Sequence, residues 1–277
     1  MTPSGLPALD AFDDLERQYN PRVAVAEAPA ILAAWEARAA AARAARAPET
    51  LAYGPGPRET IEFYRAEAER GALAFIHGGY FRSLSTRQFS WLAAPWLARG
   101  VSVGLIEYPL CPEVSVADIV GSTRRGLTRF AAALDPATPL ALAGHSAGGY
   151  LVAAMLAEPP DPAPNLAGAL SLSGVFDLSP LIKTSINADI RLTPETAAAL
   201  DLLRRSPALA APLTLAVGAG EPEAFHRQSD ALASVWADLS PERLDQGTNH
   251  FDIVDALADP QSAIARRVAG WLGVQAR

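Results

Sequence analysis

The stretch Leu140 to Tyr150, LALAGHSAGGY, decides how the rest of the chain is read. An apolar run of strand character, Pro139-Leu140-Ala141-Leu142-Ala143, meets Gly144-His145-Ser146-Ala147-Gly148 and passes directly into Tyr150 to Ala157, where the spacing is helical. This is the G-x-S-x-G elbow in its strand-turn-helix setting. Glycines bracket the serine because the turn is crowded, and a Cβ at either position would strike neighbouring backbone. The turn also sets Ser146 at a helix N-terminus, where unpaired N–H groups and the helix dipole favour developing negative charge. The competing reading is a glycine-rich junction carrying an ordinary serine, and the rest of the sequence weighs between the two.

The 277 residues are 50% hydrophobic and 19% charged, which is enough apolar material for a large core. The length suits a single α/β domain over 1–277 better than two independent ones. With Cys111 as the one cysteine there is no intramolecular disulfide, and four scattered histidines cannot build a dense metal cluster, so a reducing cytoplasm fits. A net charge of −7 without runs of like charge suggests neither a nucleic-acid footprint nor a basic membrane-binding face. The opening MTPSGLPALDAFDDLER has acids where a signal peptide needs a basic region, so export is not expected. The uncharged run between Asp135 and Glu158 has the length of a membrane span, but Pro136, Pro139 and the GHSAGG break divide it into half a strand and half a helix. It reads as buried core.

Working outward, the rhythm from Ala72 onward is buried strand, glycine-bearing loop and helix, repeated. Near-continuous apolar runs predict strands at Ala72–Ile76, Val101–Tyr108, Leu140–Ala143, Ala167–Leu172 and Leu213–Val217. Helices are predicted at Phe89–Ala98, Val116–Leu134, Ala147–Ala157, Ala224–Leu239 and Ile264–Leu272. Such alternation argues for a mostly parallel central sheet with helices on both faces. Upstream, Thr50–Tyr53 and Thr60–Arg65 around the Gly54-Pro-Gly-Pro57 turn predict an antiparallel hairpin, and residues 1–48 a helical extension. Gly54 and Gly56 do not form a phosphate loop, since the intervening prolines supply no N–H donors. Ser115-x-x-Asp118 reads as a capping box and Gly100 as a helix stop. Residues 178–207 interrupt the rhythm and read as a small lid insertion.

The second chemical stretch is Phe75-Ile76-His77-Gly78-Gly79-Tyr80. An acyl-transfer serine needs N–H donors aimed at a tetrahedral oxyanion, and glycines let backbone approach a substrate closely. HGG directly after a buried strand and upstream of GHSAGG predicts donors at Gly78, Gly79 and Ala147, with His77 tying the loop down through its ring nitrogens. The remaining triad members are expected in the order acid, then histidine. His226 sits inside a helical run, whereas His250, in Gly247-Thr-Asn-His-Phe251, lies in a loop suited to a general base. The acid is expected where the strand ending at Gly218 stops, which selects Glu221 with Glu223 as the alternative. Cys111 reads as a packing residue.

HGGYF, EYPLCPEVSVADIV, GHSAGGYL, SLSGVFDLSPLIKTSIN, AVGAGEPEAFHRQS and GTNHFDIVDALADP together resemble the serine-type kynurenine formamidases (arylformamidases) of the α/β-hydrolase superfamily, in its HGG esterase and lipase-like branch. The resemblance runs from about Arg17-Gln-Tyr-Asn-Pro-Arg22 almost to the C-terminus. It departs at Phe81, where such proteins usually carry Trp, and at Glu221, where several use Asp. It implies the α/β-hydrolase fold and hydrolysis of N-formyl-L-kynurenine to L-kynurenine and formate, a step of tryptophan degradation, through a formyl-enzyme on Ser146 and without a cofactor. Tyr19, Tyr80, Phe176, Asn187 and Phe251 are the expected substrate-slot residues by position beside the motifs, although any one of them taken singly also suits core filler. A general carboxylesterase or aryl amidase with the same triad is the serious alternative, because fold and triad do not fix the substrate. A metal-dependent formamidase fits poorly, since GTNHFD lacks the closely spaced histidines of that separate family. A non-catalytic binding module is disfavoured by the presence of Ser146, His250 and HGG together. The expected partner is a small aryl formamide or ester, with no nucleic acid and no membrane; homodimerisation is left open.

Overall fold

The structure, a computed structural model, describes residues 8–239, 242–246 and 248–275. Eight strands form one sheet: β1 (Glu49–Ala52), β2 (Thr60–Tyr64), β3 (Gly71–Ile76), β4 (Val101–Ile106), β5 (Leu140–His145), β6 (Leu166–Leu172), β7 (Leu213–Gly218) and β8 (Glu242–Gln246). Their order across the sheet is β1-β2-β4-β3-β5-β6-β7-β8. The β1–β2 and β2–β4 pairs are antiparallel, and from β4 to β8 every neighbour is parallel. The hairpin is therefore an antiparallel margin on a parallel sheet. Its turn is closed by Glu59, whose carboxylate accepts the Gly56 N–H at 2.9 Å.

The continuous apolar runs become strands buried on both faces, as parallel sheets require. Alternate residues of β3 serve different cores. Ala72, Ala74 and Ile76 join Leu127, Phe130 and Leu151 beneath the helices Val116–Ala131, Ala147–Ala157 and Glu223–Val235. Leu73 and Phe75 join Trp35, Phe89 and Ile264 beneath Ala28–Ala45 and Ala263–Trp271. The Ser115 capping box is present: Ser115 Oγ accepts the Asp118 N–H at 3.2 Å, and the Asp118 carboxylate accepts the Ser115 N–H at 2.9 Å.

Two elements differ from expectation. The helix expected over Phe89–Ala98 is a 3-10 segment, Thr86–Leu92, followed by a short α-helix, Ala93–Leu97, because Pro95 offers no N–H and is tolerated only in a first turn. The edge strand β8, reading Glu-Arg-Leu-Asp-Gln, lies where no strand is predicted from its polar sequence. The insertion 178–207 folds as short helical pieces, Ser179–Lys183, Asn187–Ile190, Pro194–Leu200 and Leu202–Arg204. Among the described residues no helix is long and apolar enough to cross a membrane.

The strand order determines where chemistry can occur. The chain places β4 on one side of β3 and then crosses to place β5 on the other, so the loops after β3 and β5 leave the sheet side by side at a topological switch point. Ile76 pairs with Gly144, which sets HGG next to His145 and Ser146.

Candidate active site

Ser146 has φ 57° and ψ −116°, a conformation that L-residues adopt only at a cost of about 1–2 kcal/mol. The Ser146 N–H bonds Leu172 O at 2.7 Å, and Tyr150 N–H bonds Ser146 O at 3.1 Å, so β6 and the following helix hold the turn from both sides. The flanking glycines are needed for space: a Cβ on Gly144 would lie 2.2 Å from Gly148 O, and one on Gly148 would lie 2.0 Å from Ile76 O.

The HGG loop is left-handed for three residues, with φ of 107° at Gly79, 49° at Tyr80 and 60° at Phe81. Arg82 and Ser83 N–H groups close it on Gly79 O, each at 3.1 Å. A Cβ on Gly78 would come within 3.0 Å of Ser146 Cβ, which places this backbone against the serine. Among the described residues no hydrogen bond occupies the N–H of Gly78, Gly79 or Ala147. Beneath the loop, His77 is fully buried, with Nδ1–H donating to Gly78 O at 2.7 Å and Nε2 2.9 Å from Glu107. Glu107 also takes Arg58 at 2.7 Å, Tyr108 N–H at 3.0 Å and Thr86 N–H at 3.1 Å. Burial alone would raise its carboxyl pKa, but the His77 and Arg58 charges and these hydrogen bonds prevail and hold it below the usual range.

His250 and Glu221 meet across the loops that follow β8 and β7. His250 Nδ1–H donates to Glu221 Oε2 at 2.6 Å. The other Glu221 oxygen accepts Gly218 N–H at 2.7 Å and the Ser173 hydroxyl, so a fully buried carboxylate is saturated with donors. Glu223 instead forms a surface pair with Arg227. His226 lies in the helix Glu223–Val235. Asn249 shapes the histidine loop by accepting the N–H groups of Phe251 and Asp252 at 2.8 and 3.0 Å. His145 adds a further restraint: its Nε2–H donates to His250 O at 2.7 Å, and the two rings lie 4.8 Å apart. Burial pushes the His145 imidazole well below its ordinary pKa, and neighbouring His250 reinforces the effect. Among the described residues no hydrogen bond joins Ser146 to His250, but both line one cavity.

That cavity has a volume of about 310 Å³. Leu32, Trp35, Leu84 and Phe251 supply apolar wall, Tyr80 and Gly79 come from the HGG loop, and Asn20, Arg22, Arg82 and Asp189 stand among its polar lining. Arg82 pairs with Asp189, whereas Arg22 has no ion-pair partner among the described residues. A second cavity, about 340 Å³ beneath the helix Pro194–Leu200, contains no histidine and does not reach Ser146. The first cavity is therefore the candidate site.

Of the five expected slot residues, Tyr80 and Phe251 line the cavity and Tyr19, Phe176 and Asn187 do not. Tyr19 is buried core, its hydroxyl donating to Leu9 O at 2.7 Å and accepting Gln228 at 3.2 Å. Phe176 is likewise buried, its backbone N–H held by Gln228 at 2.8 Å. Asn187 staples the insertion, accepting Leu192 N–H at 2.7 Å and donating to Leu192 O at 3.1 Å. Phe81 packs edge-on against Tyr150 at 5.6 Å, away from the cavity, so the Trp-to-Phe departure falls in the core. Ser173, His145, Trp35, Arg22 and Asp189 belong to the site or its support without having been singled out. His145 lies inside GHSAGG, Ser173 inside SLSGVFDLSPLIKTSIN and Arg22 at the end of the Arg17–Arg22 stretch, whereas Trp35 and Asp189 carry no such signal.

No family model matches the sequence. The chain is 27% identical to the kynurenine formamidase of Salmo salar, over 94% of this chain and 96% of that one, and 27% identical to that of Danio rerio, over 80% of each. Among solved structures it is 30% identical to a proposed thioesterase from Silicibacter sp. TM1040, with a TM-score of 0.81 over 91% of this chain and 97% of that one. A Pyrobaculum calidifontis esterase superposes with a TM-score of 0.68 over 93% and 97% at 16% identity, which speaks to the fold alone. On this architecture and these relatives, the chain belongs to the α/β-hydrolase superfamily and is similar in sequence to its kynurenine formamidases.

Proposed function

We propose that the chain is a serine hydrolase of aryl formamides, with N-formyl-L-kynurenine as substrate. The observation that carries this reading is the buried Glu221–His250 pair facing the cavity that contains Ser146 and the HGG loop. The names of the Salmo salar and Danio rerio relatives supply the substrate class.

In this reading Ser146 Oγ attacks the formyl carbon as His250 Nε2 takes its proton, the serine-to-histidine contact tightening once substrate fills the cavity. Glu221, accepting Nδ1–H, stabilises the imidazolium and holds the tautomer that leaves Nε2 free. The N–H groups of Gly78, Gly79 and Ala147 receive the oxyanion. Collapse breaks the C–N bond, and His250 returns its proton to the departing aryl amine. Water, deprotonated by the same histidine, then releases formate. The apolar wall suits an aryl ketone. Arg22 suits a carboxylate and Asp189 an ammonium, a pairing that fits an amino-acid side chain on the aryl group. The cover over the cavity is assigned to the N-terminal extension, through Asn20, Arg22, Leu32 and Trp35, with the insertion contributing Asp189.

The test is incubation with N-formyl-L-kynurenine, following the amine product and formate. Equimolar release that Ser146→Ala abolishes supports the reading, and release that survives in this variant refutes it. A general esterase is the second reading, favoured by the thioesterase name of the Silicibacter sp. TM1040 relative at 30% identity.

A further inference from the structure

A hydrogen-bond donor in an oxyanion hole is one end of a peptide unit, and the other end is the carbonyl of the preceding residue. In a trans peptide the two point in opposite directions. The partners of the carbonyls behind the three proposed donors therefore matter as much as the N–H groups themselves. Behind Ala147 N–H is Ser146 O, bonded by Tyr150 N–H at 3.1 Å within the helix. Behind Gly78 N–H is His77 O, and behind Gly79 N–H is Gly78 O. These lie in a loop with no helix to serve them.

One buried pair of aromatic side chains takes over that role. The Tyr108 hydroxyl lies 2.9 Å from His77 O and 3.2 Å from Gly78 O, sharing its one proton between them. His77 Nδ1–H gives Gly78 O a second bond at 2.7 Å. The two rings are stacked, 4.2 Å apart and 10° from parallel, and both residues are fully buried. Burial, with Glu107 nearby, holds the Tyr108 hydroxyl protonated. Arg58 completes the frame, bonding Glu107 at 2.7 Å and Tyr108 O at 3.0 Å.

We propose that Tyr108 and His77 complete the oxyanion hole from behind: their donors orient the two loop peptides and polarise them, strengthening the Gly78 and Gly79 N–H groups where charge develops. Tyr108 is a positioning residue, acting through backbone and never touching substrate. The proposal rests on the reading of Ser146 as nucleophile. Hydrogen-bond chains strengthen each member by about 10–30%. Loss of one oxyanion donor costs about 10²–10³ in kcat. Removing the hydroxyl therefore lowers kcat by about two- to eightfold.

The test is Tyr108→Phe, which keeps the stacked ring and removes only the hydroxyl. The expected result is a two- to eightfold fall in kcat, KM within about twofold, and the same factor lost in affinity for an aryl boronic acid that forms a tetrahedral serine adduct. If Tyr108→Phe does not fold, site-specific 3-fluorotyrosine at position 108, a stronger donor of nearly the same size, raises kcat instead. Unchanged kcat in the variant that folds, or a change confined to KM, overturns the proposal. Ser146→Ala, run alongside, separates the two failures: an inactive Ser146→Ala with a silent Tyr108→Phe leaves the proposed function standing and removes only this inference.

Discussion

Replacing Glu221 by Gln changes one atom at the centre of the site, and the surrounding donors dictate how that atom must sit. Glu221 Oε1 faces two donors, Gly218 N–H at 2.7 Å and the Ser173 hydroxyl. The glutamine oxygen must occupy that position, because an NH₂ there would point at two donors in a buried pocket. The amide NH₂ is then left facing His250 Nδ1, where the carboxylate accepted a proton at 2.6 Å. Nδ1 becomes an acceptor, the ring proton moves to Nε2, and the nitrogen facing the serine can no longer accept from it. The expected loss is about 10³–10⁴ in kcat, or about 4–5.5 kcal/mol of activation free energy. Stability changes little, since every group keeps a partner. Glu223→Gln, which disturbs an exposed pair worth about 0.3–0.5 kcal/mol, leaves the rate within about twofold. Steady-state kinetics on purified variants, with urea midpoints as the folding control, decide the matter. A Glu221→Gln enzyme within tenfold of the parent, or a larger loss in Glu223→Gln, refutes the reasoning.

His145 makes stability depend on pH. Burial holds its folded pKa well below 6.5, so on acidification the unfolded chain takes up a proton that the folded chain refuses; the contribution is complete above about pH 6.5 and is lost below it, at up to about 1.4 kcal/mol per pH unit until the folded pKa is reached. His145→Gln, which retains a donor for His250 O, loses less stability between pH 7.5 and 5 in urea titrations; equal losses would remove His145 from the explanation. Gly78→Ala forces a methyl group to 2.8 Å from His145 O and 3.0 Å from Ser146 Cβ, and lowers kcat by about 10²–10³ as the loop shifts. Retention of more than a tenth of the rate contradicts that. Arg22→Ala raises KM for N-formyl-L-kynurenine by about ten- to a hundredfold, the worth of one charge-assisted hydrogen bond, and leaves formanilide unaffected. Equal effects on both substrates would argue against carboxylate recognition.

What could be read from sequence follows from the range of the forces involved. The elbow and HGG are legible because each is a local backbone requirement: Gly144, Gly148 and Gly79 occupy positions that a Cβ would block within a few residues of chain or across one strand pair. The central strands are legible because burial on both faces leaves continuous apolar runs. β8 is not, because an edge strand needs no such run and Glu-Arg-Leu-Asp-Gln resembles a solvated loop. The cavity lining is least legible. Tyr19 and Phe176 sit near motifs in sequence, yet both are tied to Gln228 and directed into core. Trp35 lines the cavity that contains Ser146 from a distant N-terminal segment whose composition marks it only as helix. Ser173 supports Glu221 from the end of β6 in a left-handed conformation, φ 53°, which nothing in Ser-Leu-Ser-Gly announces.

The measurement that bears most directly on the proposed function is the ratio of kcat/KM for N-formyl-L-kynurenine to those for phenyl acetate and acetanilide under one set of conditions. Aryl esters are intrinsically the more reactive, so preference for the formamide has to come from the cavity. The account predicts that N-formyl-L-kynurenine exceeds both by about 10² or more. Phenyl acetate hydrolysed as efficiently as the formamide, or better, would contradict it and make the chain a general esterase.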